Sequence, residues 1–256
     1  MRMLFNLLIF YCSGVVAGDR SVCVQNCAFV LRSEPGIYQV IDEARAKERF
    51  SPFSTFKVAN SLIALELGVV ESLDQKLTFD QQSYPIKEWW PRHWYSAPLT
   101  LRDAFQKSAV PIYQQIASEI GSSRMAKFVL AFQFGNADIS SGVDTFWLGE
   151  SLKITAVEQV DFLYRLHNNE LPVARKSINQ LKKIMLVEST QTYKLYAKTG
   201  AGYLANGKVL GWYVGFVERN SGTTYFALNM EADSFDALIE SRVSTATALL
   251  MQAGII

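Results

Sequence analysis

Apolar and polar positions follow two rhythms along this chain, and the change of rhythm divides it. Cys27-Ala-Phe-Val-Leu-Arg32 and Gly36-Ile-Tyr-Gln-Val-Ile-Asp42 are short β-branched and aromatic runs around a Glu34-Pro35-Gly36 turn, which predicts a strand pair. Ala44 to Phe50 leads into a helix that starts at Ser51-Pro52, with Ser51 as N-cap and Pro52 in the first turn. It carries apolar residues at helical spacing through Leu62, Ile63 and Leu65 to a stop at Gly68. From there to about Lys183 the pattern is largely helical with irregular loops, clearest at Asp103–Gln106, Ile112–Ile120 and Thr155–His167. Glu88-Trp-Trp-Pro-Arg-His-Trp-Tyr95 is aromatic and broken by proline, and reads as a loop rim. The tail returns to strand rhythm. Thr192–Ala197, Val209–Glu218 and Thr223–Met230, separated by Asn206-Gly207 and Asn220-Ser-Gly222, predict an antiparallel meander, and Phe235–Ala253 a closing amphipathic helix. Strands at both ends with helices between predict an α/β (α+β) fold. One antiparallel sheet joins the two ends, helices flank it, and a helical lobe over roughly 60–185 is inserted.

Composition narrows the function classes. A chain of 256 residues that is 49% hydrophobic can bury a full core as one domain or two lobes. A net charge of +1 with both signs interspersed offers no footprint for nucleic acid or for an anionic membrane surface. The first 18 residues carry one early cation, a short apolar run and small residues at Ala17 and Gly18, the pattern of a secretory signal. The mature protein is therefore expected over 19–256, exported and without stable membrane insertion, because no later stretch approaches the ~20 apolar residues a span needs. Cys12 leaves with the signal. Cys23 and Cys27 allow either a disulfide in an oxidising compartment or two free thiols. His93 and His167 lie far from both cysteines in sequence and pair with no nucleophile elbow, so neither a metal site nor a Ser-His-Asp triad is expected.

The candidate chemistry begins at Ser54-Thr-Phe-Lys57. A hydroxyl and an amine three residues apart share a face if the segment is helical. A serine in the first turn meets free backbone N–H groups and a dipole that favours developing negative charge. Lys57 is flanked by Phe53, Phe56 and Val58, and burial among them disfavours the ammonium, leaving an amine able to act as base. Further stretches share this polar character. Ser108-Ala109-Val110 precedes a predicted helix, and a second serine beside a second lysine can relay a proton. Lys198-Thr199-Gly200 ends a predicted strand, and offers an ammonium, a hydroxyl and accessible backbone to an acidic substrate. Phe134-Gly135-Asn136 and Phe146-Trp147-Leu148-Gly149 lie between them. The first of these two reads as a turn with Asn136 tying backbone together.

With these motifs in order, the sequence resembles the penicillin-recognising serine enzymes, and among them the class D (oxacillinase) β-lactamases. The likeness extends to Glu48-Arg-Phe-Ser-Pro-Phe-Ser-Thr-Phe-Lys57, Trp147-Leu-Gly-Glu-Ser-Leu-Lys-Ile-Thr155 and Gly211-Trp-Tyr-Val-Gly215. The resemblance implies the β-lactamase and penicillin-binding-protein fold and hydrolysis of the β-lactam ring through an acyl-enzyme on Ser54. It implies that Lys57 reacts with carbon dioxide, with no other cofactor and no metal, to become the general base of both acylation and deacylation, held by Trp147. Ser108 would pass the proton to the lactam nitrogen with help from Lys198, and Val110 would wall the Lys57 pocket. Backbone N–H groups of Ser54 and Ala201 would form the oxyanion hole. Thr199, Gly200, Ala201 and Arg242 would bind the substrate, Thr199 and Arg242 holding its carboxylate. The partner implied is a small β-lactam, and the compartment the periplasm of a Gram-negative bacterium. Phe134 stands where many relatives have tyrosine, which leaves Lys57 to act as base. The bulky residue that many relatives carry directly after the Lys-Thr-Gly glycine is absent. A β-lactam sensor or a penicillin-binding domain that is acylated without turnover is the alternative.

Overall fold

The two N-terminal apolar runs pair as strands. β1 (Cys27–Ser33) and β2 (Ile37–Ile41) are antiparallel, with Phe29 opposite Ile41 and Ser33 opposite Ile37. This computed structural model describes Cys23, residues 26–33 and residues 36–256. The expected signal at 1–18, Cys12, and Glu34 and Pro35 of the expected turn lie outside the described residues. Cys23 and Cys27 are joined as a disulfide with their Cα atoms 5.4 Å apart.

Helices follow. They are α1 (Glu43–Ala46), a 3-10 turn at Phe53–Phe56 that runs directly into α2 (Lys57–Glu66), and, after a small pair of strands β3 (Lys76–Leu77) and β4 (Leu99–Thr100), α3 (Leu101–Gln106). α4 (Val110–Ile120), α5 (Ser122–Ala131), α6 (Ala156–His167) and α7 (Arg175–Met185) complete this stretch. Thr155 caps α6 by a reciprocal pair of hydrogen bonds with Glu158, which explains why this helix was legible from its start. Among the described residues no helix is long and apolar enough to cross a membrane.

The chain then returns to the sheet through β5 (Leu186–Ser189), β6 (Tyr193–Tyr203), β7 (Val209–Arg219) and β8 (Gly222–Ala232), and closes with α8 (Phe235–Gln252). The order β2-β1-β8-β7-β6-β5 brings the first strand beside the last, so both chain ends meet in one antiparallel sheet. Its two faces bury different residues. Ala28 and Val30 of β1 join the large cluster under the helices, while Phe29 and Leu31 join a second cluster with Ala246, Leu249 and Leu250 of α8. Double-sided burial explains why β7 reads as a near-continuous apolar run instead of an alternating one. On the α8 face a side chain at Gly211 would strike Leu238, its Cβ falling 2.3 Å from a Leu238 methyl carbon.

One boundary differs from the sequence expectation. The strand expected to end at Lys198-Thr199-Gly200 continues to Tyr203, because β7 pairs with it without interruption from Lys198 opposite Val214 to Tyr203 opposite Val209. Two glycines do not end it. They let it pass close over the turn that carries Ser54.

Candidate active site

The Ser54 turn is tighter than an α-helix. Pro52, not Ser51, occupies the N-cap position, and its side chain makes no capping bond; Phe53 takes a left-handed backbone with φ 48°. The Ser51 hydroxyl instead meets Lys153 Nζ at 3.2 Å and Leu152 O at 3.4 Å, and its carbonyl accepts from Trp212 Nε1 at 2.9 Å. In a 3-10 turn residues three apart eclipse one another. This stacks Lys57 over Ser54, and Lys57 Nζ donates to Ser54 Oγ at 2.9 Å.

Lys57 is fully buried, and burial alone pulls its amine down to about 7. Among the described residues no carboxylate forms an ion pair with it. Besides the Ser54 hydroxyl, the face of Tyr113 stabilises its charge, with Nζ 5.0 Å from the ring centroid. Tyr113 escaped the sequence reading. The signal for it was its position one helical turn past Val110, which puts it on the same side of α4. Val110 itself opens α4, half-buried against the cluster that includes Phe56 and Trp147.

Aromatic rings pack around Phe56, the residue before Lys57. Trp147 stacks on Phe56 with centroids 5.4 Å apart, and Phe134 and Phe146 meet Phe56 edge-on at 5.4 and 4.9 Å. Phe134 is thus buried between Phe56 and Phe162, and its neighbours form the expected turn. Gly135 has φ 58°, and a Cβ there would fall 2.1 Å from Lys153 O. Asn136 accepts from Lys153 N at 2.9 Å and donates to Ser151 O at 2.9 Å. The Nε1 of Trp147 is buried and has no hydrogen-bond partner among the described residues, although buried donors are nearly always paired.

The second hydroxyl–amine pair forms as the motifs suggested. Lys198 Nζ reaches Ser108 Oγ at 2.5 Å and Thr199 O at 3.0 Å. Burial, then the charges of Lys57 and Arg242, hold the Lys198 amine well below its usual range. Ser108 sits between α3 and α4 with a left-handed backbone, φ 54°. That is a costly conformation for a residue with a side chain, and it aims the hydroxyl at Lys198.

β5 pairs with β6 only as far as Tyr196, so the Lys198–Tyr203 stretch, paired with β7 on one side, has no strand neighbour on the other among the described residues. The Ser54 turn crosses that stretch. A Cβ at Gly200 would lie 2.9 Å from Pro52 O and 3.2 Å from Thr55 N, and one at Gly202 would fall inside the Phe53 ring. Thr199 and Ala201 occupy the alternate positions. Arg242 of α8 donates to Gly200 O at 3.3 Å, and its Nε is buried without a partner. Burial lowers its guanidinium from the usual value. Tyr203, two residues past Ala201, is 66% exposed and packs on Phe235 at 4.9 Å. The bulk missing directly after Gly200 therefore returns two positions later. His167 serves structure, with its ring nitrogens at 2.9 Å from Glu218 and from Tyr225.

Fold and site together define a serine acyl-transfer protein of the penicillin-binding type. The family model for the penicillin-binding protein transpeptidase domain matches residues 33–249. The chain is 42% identical over 194 residues to β-lactamase OXA-48 of Klebsiella pneumoniae, covering 76% of this chain and 71% of that protein. It is 38% identical over 218 residues to β-lactamase OXA-10 of Pseudomonas aeruginosa, covering 84% and 79%. Among solved structures, the class D β-lactamase YbXI from Nostoc superimposes with a TM-score of 0.83 at 33% identity, covering 90% of this chain and 94% of that one. FUS-1 (OXA-85), a class D β-lactamase from Fusobacterium nucleatum, gives 0.82 at 31% identity, covering 90% and 93%. The chain belongs to the class D serine β-lactamases.

Proposed function

We propose that this protein hydrolyses β-lactam antibiotics through an acyl-enzyme on Ser54, and so confers resistance to them. The observation that carries the reading is the 2.9 Å contact between Ser54 Oγ and a fully buried Lys57 amine. As the Ser54 Oγ–carbon bond forms, the lactam C–N bond breaks. The Ser54 proton leaves toward Lys57, and Ser108, resupplied by Lys198, delivers a proton to the departing nitrogen. Backbone N–H groups of Ser54 and Ala201 face the developing oxyanion, and Thr199 and Arg242 hold the substrate carboxylate beside Gly200. The proton taken up at Lys57 then returns to Lys198; Lys57 takes a proton from the water that attacks the ester carbon, the carbon–Ser54 oxygen bond breaks, and that proton restores the Ser54 hydroxyl.

The residues around Lys57 suit its modification by carbon dioxide. An amine neutral near pH 7 is nucleophilic, no acidic side chain in ion-pair reach competes for it, and the orphaned Trp147 Nε1–H offers a donor to an added carboxylate. Bound there, carbon dioxide would supply a carbamate oxygen as the general base beside Ser54, carried on Lys57.

Export to the periplasm fits the leader-like pattern at 1–18 and the Cys23–Cys27 disulfide, which persists in an oxidising compartment. Nitrocefin hydrolysis by the purified protein in bicarbonate buffer tests the activity. Absence of turnover, with a long-lived acyl adduct on Ser54 by mass spectrometry, would instead mark a sensor or penicillin-binding protein.

A further inference from the structure

Lys153 lies outside the reacting groups, yet its atoms join three segments that surround them. Its Nζ donates to Ser51 Oγ at 3.2 Å, in the segment leading to Ser54, and to Gly149 O at 3.0 Å, two residues past Trp147. Its backbone N–H and carbonyl are both taken by Asn136, at 2.9 Å each, in the turn that holds Phe134. The adjacent Ile154 forms a two-way backbone bridge with Phe50, at 2.8 and 3.0 Å. Ser51 Oγ also reaches Leu152 O at 3.4 Å, so Lys153 and Ser51 together make the side-chain polar join between the nucleophile segment and the tryptophan loop.

We propose that Lys153 is a positioning residue, a clamp that fixes the Trp147 loop against the Ser54–Lys57 turn and so sets how strongly Lys57 retains carbon dioxide. The proposal rests on the reading of Lys57 given above. The physical reason is geometric. Gly149 has φ 109°, and while Leu148, Ser151, Leu152 and Lys153 are each tied through their backbone, Gly149 and Glu150 make no backbone–backbone hydrogen bond among the described residues. Trp147 is packed on Phe56 by ring contact, which resists separation but tolerates sliding, whereas a hydrogen bond from its Nε1 needs position to within a few tenths of an ångström. The ammonium of Lys153 adds a polar restraint at Gly149, the part of the loop next to Trp147 that has no backbone tie, because two acceptors on different segments share one nitrogen. A lysine serves here through position alone. It contacts neither Ser54 nor Lys57, so its loss leaves every reacting group in place.

The experiment is a titration of the full-length protein with carbon-13 bicarbonate, followed by the NMR resonance of a lysine carbamate. Wild-type protein, Lys153→Met and Lys153→Arg are compared at one pH, with thermal melts alongside. The bicarbonate concentration for half occupancy is expected to rise about tenfold or more in Lys153→Met, the usual scale for losing a supporting partner, while Lys153→Arg stays close to wild type. A Lys153→Met curve that overlays the wild-type curve overturns the clamp and leaves the Lys57 reading intact. A wild-type protein with no carbamate resonance overturns the Lys57 reading and the clamp with it. A general loss of stability in Lys153→Met would lower its melting temperature without moving the midpoint of the titration, and that result also counts against the clamp.

Discussion

Trp147 and Phe56 lie nearly parallel, 27° between their planes and 5.4 Å between their centroids, which seats an indole against the residue just before Lys57. Ring stacking accounts for the indole's burial but not for its nitrogen, which is left without a partner in the dry interior. These two roles separate by mutation. Trp147→Phe keeps an aromatic surface against Phe56 and removes the N–H. Hydrolysis by Trp147→Phe in bicarbonate-depleted buffer is expected to fall by about 10²-fold and to recover in part when bicarbonate is added. Trp147→Ala also leaves a cavity and is expected to lose about 3–5 kcal/mol of stability. Steady-state nitrocefin rates against bicarbonate, with thermal melts, distinguish the two variants. Indifference of Trp147→Phe to bicarbonate would count against the carbamate reading.

Burial of Lys57 predicts two pH effects. Its amine falls to about 7, so activity should decline on the acid side as the folded protein takes up that proton. The effect on stability has the opposite origin. The unfolded chain binds this proton below its ordinary value of 10.5, while the folded chain binds it only near 7. Between these limits the unfolded state carries more protons, so stability rises with pH across that window and is insensitive to this group below it. Lys57→Met removes the penalty. In carbon-dioxide-free buffer it is expected to melt above wild type near pH 7, with the gap narrowing toward pH 10, while turnover drops by about 10³-fold or more. A gap that widened toward alkaline pH would contradict a neutral buried amine.

Ser108 holds its hydroxyl against Lys198 from a left-handed backbone. Ser108→Ala loses the hydrogen bond and keeps the strained conformation; Ser108→Gly loses the bond but relieves the backbone. The glycine variant should therefore be the more stable of the two by about 1 kcal/mol, even though glycine gives the unfolded chain more freedom. Both should acylate slower by about 10²–10⁴-fold. Stopped-flow acylation and urea melts read the two effects separately. Equal melts would mean that the φ of 54° carries no cost.

Gly200 brings β6 into contact with the nucleophile turn. Gly200→Ala places a methyl 2.9 Å from Pro52 O and 3.2 Å from Thr55 N, both backbone atoms that cannot rotate away. The strand or the turn must shift, at a cost of about 1–3 kcal/mol. Because Ala201 and Ser54 move apart in that shift, kcat is expected to fall more than KM rises, as it does when an interaction made only in the transition state is lost. A variant with wild-type kcat would show that this approach is not needed for the oxyanion hole.

Much of the architecture was visible in local pattern. β1 and β2, the C-terminal meander, α6 behind Thr155 and the closing α8 all announced themselves through turn residues, caps and periodicity. Less visible were β5, whose four residues are all exposed, and the two-residue strands β3 and β4, because stretches that short carry no periodic signal. β6 runs on past Gly200 and Gly202, where glycine normally weakens a strand, because uninterrupted pairing with β7 outweighs that effect. Ser51 was expected to cap a helix, but Lys153 and Leu152 engage its hydroxyl from residues remote in sequence.

Sequence by itself determined which hydroxyls and amines this protein possesses and in what order, together with the family they mark. Spacing also set the Ser54–Lys57 pair, since a contact between residues three apart is a local property of a tight turn. Tertiary structure alone decided the rest. Ser108 meets Lys198, Gly200 meets Pro52, and Trp147 leans on Phe56 only because the sheet and the helices close over one another. The state of Lys57 belongs to that second group. An amine loses its charge when water is excluded from every side, and no neighbour along the chain can arrange that alone.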